Sequence, residues 1–406
     1  MPKPILFIPG FPASELRDRN GRTVFPPSLS TLISASKKAA LIERLITIPG
    51  DLVAGPPIRD IVGIAKQAQS LYDVLGGKFD YDTSELSGDF AAIGWDWRLS
   101  ISDARVTSAI AKAIDRLGDG IVAIIHSTGG LVFRAFLESR PDLVDRFEQV
   151  MAFGVPWRGT LEALHAISVG ESAGFLFAKI NAAQGAEIVS HAQAAYDLLP
   201  PEFLADLSWT TDDYERQLAA TAHGPFPRNF DELPVTNVCG WGIETWLSPS
   251  WTTSKDAGDG TVPVWSSSLI RGANVRTYFL PIGAYAAANI PYPHPRIWDS
   301  PPVLQLFEQV LNDAPPAPFL CACADGDDYI DYDADVDVRV SASVPDCKVT
   351  VDIDGSEVAL NSDGLGAFIV KRDGIVHNVA NDIFRFTVTF DWNGGSEKRA
   401  VLFKSP

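Results

Sequence analysis

IVAIIHSTGGLVFRAFL, residues 121–137, changes its period halfway through. Five of the first six positions are apolar and read as a fully buried strand, and after Gly130 the spacing turns helical. A strand that turns directly into a helix needs small residues at the corner, which accounts for Gly129 and Gly130. It does not account for Ser127. On a tight strand-to-helix turn a serine oxygen stands clear of the sheet at the N-terminus of the helix, where unpaired N–H groups and the helix dipole favour developing negative charge. That placement suits acyl transfer. The usual elbow reads G-x-S-x-G; here Ile125 occupies the first position, so the turn is expected to be opened or its neighbours trimmed. Taken alone, the stretch also fits a buried strand that merely ends in a turn.

A serine hydroxyl is a poor nucleophile without a base and a group that orients the base. DAGDGTVPVWSS, residues 256–267, offers Asp259 just beyond a candidate strand, with Gly260 leaving its carboxylate free to swing; a turn or cation-binding aspartate is the other reading. PYPHPRIWDSPPV supplies His294 on a proline-stiffened loop between the last strand and a closing helix, where an imidazole would reach the top of a sheet. By itself one loop histidine reads as a surface residue. The order Ser127, Asp259, His294 is the one expected of an α/β-hydrolase arrangement. Of the other histidines, His126 should point to the opposite side of its strand, His165, His191 and His223 fall in a helical block, and His377 lies in the β-rich tail. An oxyanion would need backbone donors, for which the N–H groups of Phe11, after the strand PILFIPG, and of Thr128 are the candidates. Trp241, Trp265 and Trp298, near the Asp259 and His294 loops in sequence, are candidate walls of a substrate pocket, core packing being the more common role for any one of them.

Working outward, strand-like runs alternate with helical patterns: PILFIPG, FAAIGWDWR, the helical ISDARVTSAIAKAIDRLG, IVAIIH, QVMAFGV, VTNVCGW and VRTYFLP. Strands separated by helices imply a parallel, doubly wound α/β sheet. Two excursions with helical spacing, about 28–86 and 160–232, interrupt it. After the helix PVLQLFEQVL, the prolines of NDAPPAPF read as a stiff linker. From about residue 320 the pattern has period two, which predicts a small β-sandwich. The expected domains are 1–316, catalytic, and 317–406, accessory.

Composition narrows the partners. The chain has 406 residues, 46% hydrophobic and 21% charged, with a formal net charge of −18. Such a field repels phosphate, which argues against nucleic acid. Four cysteines are too few and scattered for a disulfide framework, and Cys321 and Cys323 lack zinc-knuckle spacing. No metal and no cofactor is expected. No signal-peptide pattern or transmembrane run is visible, so the expected address is cytoplasmic, a trimmed secreted form being compatible. The tail, 317–406, carries 16 acidic and 8 basic residues, and Asp331, Asp333, Asp335 and Asp337 alternate on one strand face. A calcium site or a solvated acidic edge would each explain that alternation.

ILFIPGFPASEL, GWDWR, IIHSTGGLVFRAFLE, GVPWRGTLEAL, AAYDLLP, GWGIET, GDGTVP and the His294 loop occur in an order that resembles the lecithin:cholesterol acyltransferase-like group of α/β-hydrolases, with its phospholipase and lipase relatives. The resemblance covers residues 4 to about 312. It implies Ser127 as nucleophile, Asp259 as orienting carboxylate, His294 as base, the Phe11 and Thr128 amides as oxyanion hole, and an architectural role for Asp96, Trp97 and Arg98. It also implies a cap and a lid formed by the excursions, with peripheral lipid contact through the cap. The chain departs from the group in having no cysteine in the first excursion, Thr128 after the serine, and the tail. The expected function is a serine hydrolase of carboxylic esters, of acyl lipids in particular; transfer of the acyl group to an alcohol and an inert scaffold used for binding are the alternatives.

Overall fold

The computed structural model describes residues 2–61, 65–66, 68–84, 87–170, 180–200, 233–241, 243–246, 253–267, 270, 275–282 and 294–314. In the tail it describes residues 320–325, 337–342, 348–353, 356–359, 361–362, 367–370, 383–392 and 395–404.

Six strands form the central sheet: β1 (Ile5–Ile8), β2 (Phe90–Ala92), β3 (Ile121–His126), β4 (Phe147–Phe153), β5 (Val235–Trp241) and β6 (Val275–Pro281). Their spatial order is β6-β5-β4-β3-β1-β2, and every pairing is parallel. The all-apolar runs follow from this, because a parallel sheet is covered on both faces and both side-chain parities must be apolar. One face carries Leu6, Ile8, Ala123, Ile125 and Ala152; the other carries Ile5, Phe7, Val122, Ile124 and Phe153. The fold is α/β with a parallel central sheet.

The helix predicted over 101–118 runs from Ala104 to Leu117, capped by the Asp103 side chain and closed at Gly118 with φ of +89°. It buries Val106, Ile110, Ala113, Ile114 and Leu117, the stripe that a period of 3.6 places on one side. The reading of FAAIGWDWR as one strand is corrected, since only Phe90–Ala92 pairs with β1. Beyond it the Trp95 N–H turns to the Ser14 hydroxyl at 3.1 Å and the Trp95 indole to the Pro9 carbonyl at 2.9 Å. These bonds take the backbone out of the ladder.

The first excursion is less helical than its spacing predicts. Helices Leu29–Ile33, Ala35–Ile46 and Gln69–Phe79 are present, but Val53–Pro57 pairs antiparallel with Ser14–Arg17 in a three-stranded sheet completed by Thr23–Phe25. Asp60–Ile61 and Ala65–Lys66 form a further short pair where helix was expected. Arg98 fastens the excursion to the sheet. Its buried guanidinium pairs with Asp96, Nε to Oδ1 at 2.9 Å and Nη2 to Oδ2 at 2.7 Å. It also donates to the carbonyls of Arg44, Thr47 and Leu52. The second excursion lies mostly outside the described residues.

The tail contains two antiparallel four-stranded sheets. Leu320–Asp325, Ser356–Ala359 and Asn361–Ser362 are strands that the period-two reading missed. Asp331, Asp333 and Asp335 lie outside the described residues; Asp337 begins the strand Asp337–Ala342.

Candidate active site

Ser127 sits between β3 and the helix Thr128–Ser139 with φ of +53° and ψ of −132°, a conformation that costs an L-residue energy and persists only when its surroundings impose it. The surroundings do impose it. The Ser127 N–H donates to the Phe153 carbonyl at 3.0 Å, and Gly129 presses on the end of β1, where a Cβ would lie 2.3 Å from the Ile8 carbonyl oxygen. The turn is therefore tight rather than opened. Across the ladder Ile125 lies between Ile8 and Ala152, and the small alanine leaves room on the β4 side. Thr128, first in its helix, has an N–H with no acceptor within that helix. Phe11 follows β1 with its ring edge-on to Trp97 at 5.5 Å between centroids. The adjoining Gly10 is so close to the elbow that a Cβ there would lie 2.7 Å from Ser127 Cβ.

Asp259 follows the strand Thr253–Gly258, which pairs antiparallel with Ile243–Trp246 outside the central sheet. Its carboxylate is 1% exposed and does not swing. Oδ1 accepts from the N–H groups of Thr261 at 3.0 Å and Val262 at 2.8 Å, and Oδ2 accepts from His294 Nδ1 at 2.5 Å. The Thr160 hydroxyl, at the start of the helix Leu161–Ser168, donates to the Thr261 carbonyl at 2.5 Å and ties this loop to the next element. Because His294 donates through Nδ1, its Nε2 is the atom left for a reaction partner. Nε2 is buried and makes no hydrogen bond among the described residues, the Ser127 hydroxyl included. Such bonds are often loose in the free state of an enzyme.

The structure thus joins Asp259 to His294 directly and brings Ser127 to the same rim of the sheet. Gly154, one residue past β4 with φ of +55°, lies against the pair: a Cβ there would be 2.8 Å from His294 Cε1 and 2.9 Å from Asp259 Oδ2. His294 opens a kinked 3-10 turn, His294–Asp299, ahead of the helix Pro301–Leu311.

Two contacts escape the sequence. His126 does point away from Ser127's side of β3, as strand parity requires, yet its Nε2 lies 3.1 Å from the His294 carbonyl oxygen. Their rings pack with centroids 4.7 Å apart. Burial first, and the neighbouring His294 second, hold the His126 imidazole well below its ordinary value of 6.5, so it is neutral. The Thr160 anchor is the other. Only its place in a G-T pair before a helix would have hinted at it, as an N-cap.

The reading of Trp298 as a pocket wall is corrected. It is 1% exposed, lies edge-on to Phe7, Phe153 and His126, and gives its indole N–H to Ser70 at 2.7 Å, all within the apolar layer on one face of the sheet. Trp241 ends β5 and Trp265 lies in the short helix Val264–Ser267; their side chains are outside the described residues. Among the described residues no group of histidine, cysteine, aspartate and glutamate side chains is arranged to hold a metal, and no helix is long and apolar enough to cross a membrane.

Residues 85–276 match the lecithin:cholesterol acyltransferase family, a span that includes Ser127 and Asp259 and leaves out Phe11 and His294. No curated protein matches the chain. Among solved structures, mature Bacillus licheniformis lipase BlEst2 is similar at 14% identity, over 69% of this chain and 84% of that one, with a TM-score of 0.31. Phospholipase PlaB from Legionella pneumophila is similar at 12% identity, over 99% of this chain and 91% of that one, with a TM-score of 0.37. Likenesses this distant carry no argument about the site. Over residues 85–276 the chain is similar to that family.

Proposed function

We propose that this lecithin:cholesterol acyltransferase-like α/β-hydrolase cleaves carboxylic esters of acyl lipids through an acyl-enzyme. The Ser127 oxygen attacks the ester carbonyl as His294 Nε2 takes its proton, and Asp259 holds the imidazole in the tautomer that presents Nε2 and stabilises the cation that forms. The Phe11 and Thr128 amides receive the tetrahedral oxyanion. Collapse expels the alcohol, which recovers the proton from His294. Water, deprotonated by the same imidazole, then releases the carboxylic acid and frees Ser127. The reading rests on one observation above the others: a strained Ser127 stands at a helix N-terminus on the rim where Asp259 grips His294 at 2.5 Å.

Leu29 and Ile33, 64% and 75% exposed on a helix with no buried residue, support contact between the first excursion and a lipid surface. Residues 1–316 are the catalytic unit in this reading, and 317–406 an accessory β-sandwich. The test is Ser127→Ala with a p-nitrophenyl ester: turnover is expected to fall at least about 10⁴-fold with the fold intact, and retained activity would end the proposal. Failure of a fluorophosphonate to label Ser127 would favour the inert scaffold.

The matched family's name favours one second reading, delivery of the acyl group to an alcohol. Both reactions share the acyl-enzyme and differ in whether an acceptor outcompetes water. Products formed with added alcohols separate them.

A further inference from the structure

We infer that His126 is a positioning residue, holding the main chain and ring of His294 from the far face of the sheet so that Nε2 stays aimed at Ser127. The inference rests on the proposed hydrolytic site and adds a residue to it. A carbonyl oxygen only accepts, so the 3.1 Å contact makes His126 Nε2 the protonated nitrogen and its neutral Nδ1 the bare one. His294 is then gripped at two points, its Nδ1 by Asp259 and its carbonyl by His126. The bond at Nδ1 fixes the ring to Asp259 but not the main chain that carries it; the grip on the carbonyl, with the ring contact at 4.7 Å between centroids, fixes that as well.

The holder is itself held. His126 ends β3 and packs edge-on to Trp298 at 4.8 Å, and Trp298 is pinned by Ser70 and wedged between Phe7 and Phe153. Charge supports the assignment. His294 becomes a cation during turnover, and a second cation packed on its ring would oppose that step; burial keeps His126 uncharged. A displacement of about 1 Å at a reacting group costs about 10²-fold, so a grip of this kind has kinetic consequences.

The test compares His126→Leu, which removes the donor and the ring, with His126→Gln, which returns an N–H at similar reach. Each is assayed on a p-nitrophenyl ester. The proton between His294 Nδ1 and Asp259 is followed by NMR on a Ser127→Ala background. His126→Leu is expected to lower kcat about 10- to 100-fold with KM within about twofold, and to shift or broaden that resonance. His126→Gln is expected to recover most of kcat and the original resonance. Rescue together with a moved resonance supports the inference, and any other combination overturns it. His126→Phe keeps a ring against Trp298 and substitutes in the comparison if His126→Leu does not fold. Hydrolytic activity that survives Ser127→Ala would sink the proposed function instead, and is distinguished from failure here because the resonance needs no turnover.

Discussion

At Ser127 the chain is held by what its neighbours lack, whereas at Asp259 it is held by what they donate. The elbow has a strained φ of +53°, and Gly129 lets it press against the carbonyl end of β1. The Asp259 carboxylate is also close-packed, against Gly154, but its backbone is not strained, and two backbone N–H groups, the His294 imidazole and the Thr160 anchor set its orientation. Steric positioning fails by collision and costs stability. Positioning by hydrogen bonds fails by rotation or loss of charge, and costs rate.

That contrast is open to attack. Asp259→Asn keeps the shape and removes the charge, so kcat for a soluble ester should fall about 10⁴-fold with a thermal midpoint near that of the parent; a comparable loss of stability would erase the distinction. The two glycines come next. Gly129→Ala sets a methyl against rigid backbone and should cost on the order of 3 kcal/mol in denaturant unfolding. Gly154→Ala sets it against the His294 and Asp259 side chains, and the surviving folded protein should lose about 10²-fold in kcat. If both variants lost only stability, the rim would be one steric unit. Thr160→Val removes the tie to the loop together with the N-cap of the helix Leu161–Ser168, and should cost about 2 kcal/mol with a few-fold drop in kcat. The smallest effect is at Cys239, buried beneath this loop, whose thiol burial pushes up to about 12. It stays protonated at pH 8 while the protein is folded, so iodoacetamide should label it only after denaturation, as mass spectrometry would show.

The elbow was legible because its signal is local: a period change and a hydroxyl at the corner, all within residues 121–137. Chain order then supplied Asp259 and His294, and the structure joins those two by a hydrogen bond. What escaped was set by distant partners. Val53–Pro57 is a strand because Ser14–Arg17 is there to pair with it, and the run after Ala92 leaves the sheet because Ser14 and Pro9 take the Trp95 donors. Parity showed which way His126 points, but not that the carbonyl of a residue 168 positions later waits there. Trp298 fell next to His294 in sequence, and its ring is taken into the apolar layer against His126, Phe7 and Phe153.

Lys3 gives its ammonium to the Val310 carbonyl at 2.8 Å and to Asp313 at 2.7 Å, with Glu148 at 2.8 Å beside them. The α/β unit is therefore a loop tied shut, its start and finish fastened at one knot. Joining residue 313 to residue 3 through a short peptide, and opening new ends in an exposed turn of the first excursion, should give a circular permutant that still folds. Past that knot the tail returns to the unit, its strand Leu320–Asp325 meeting β6 and its strand Gly395–Lys404 meeting the helix Val264–Ser267, so a permutant would keep those contacts only if the tail stayed joined at residue 313.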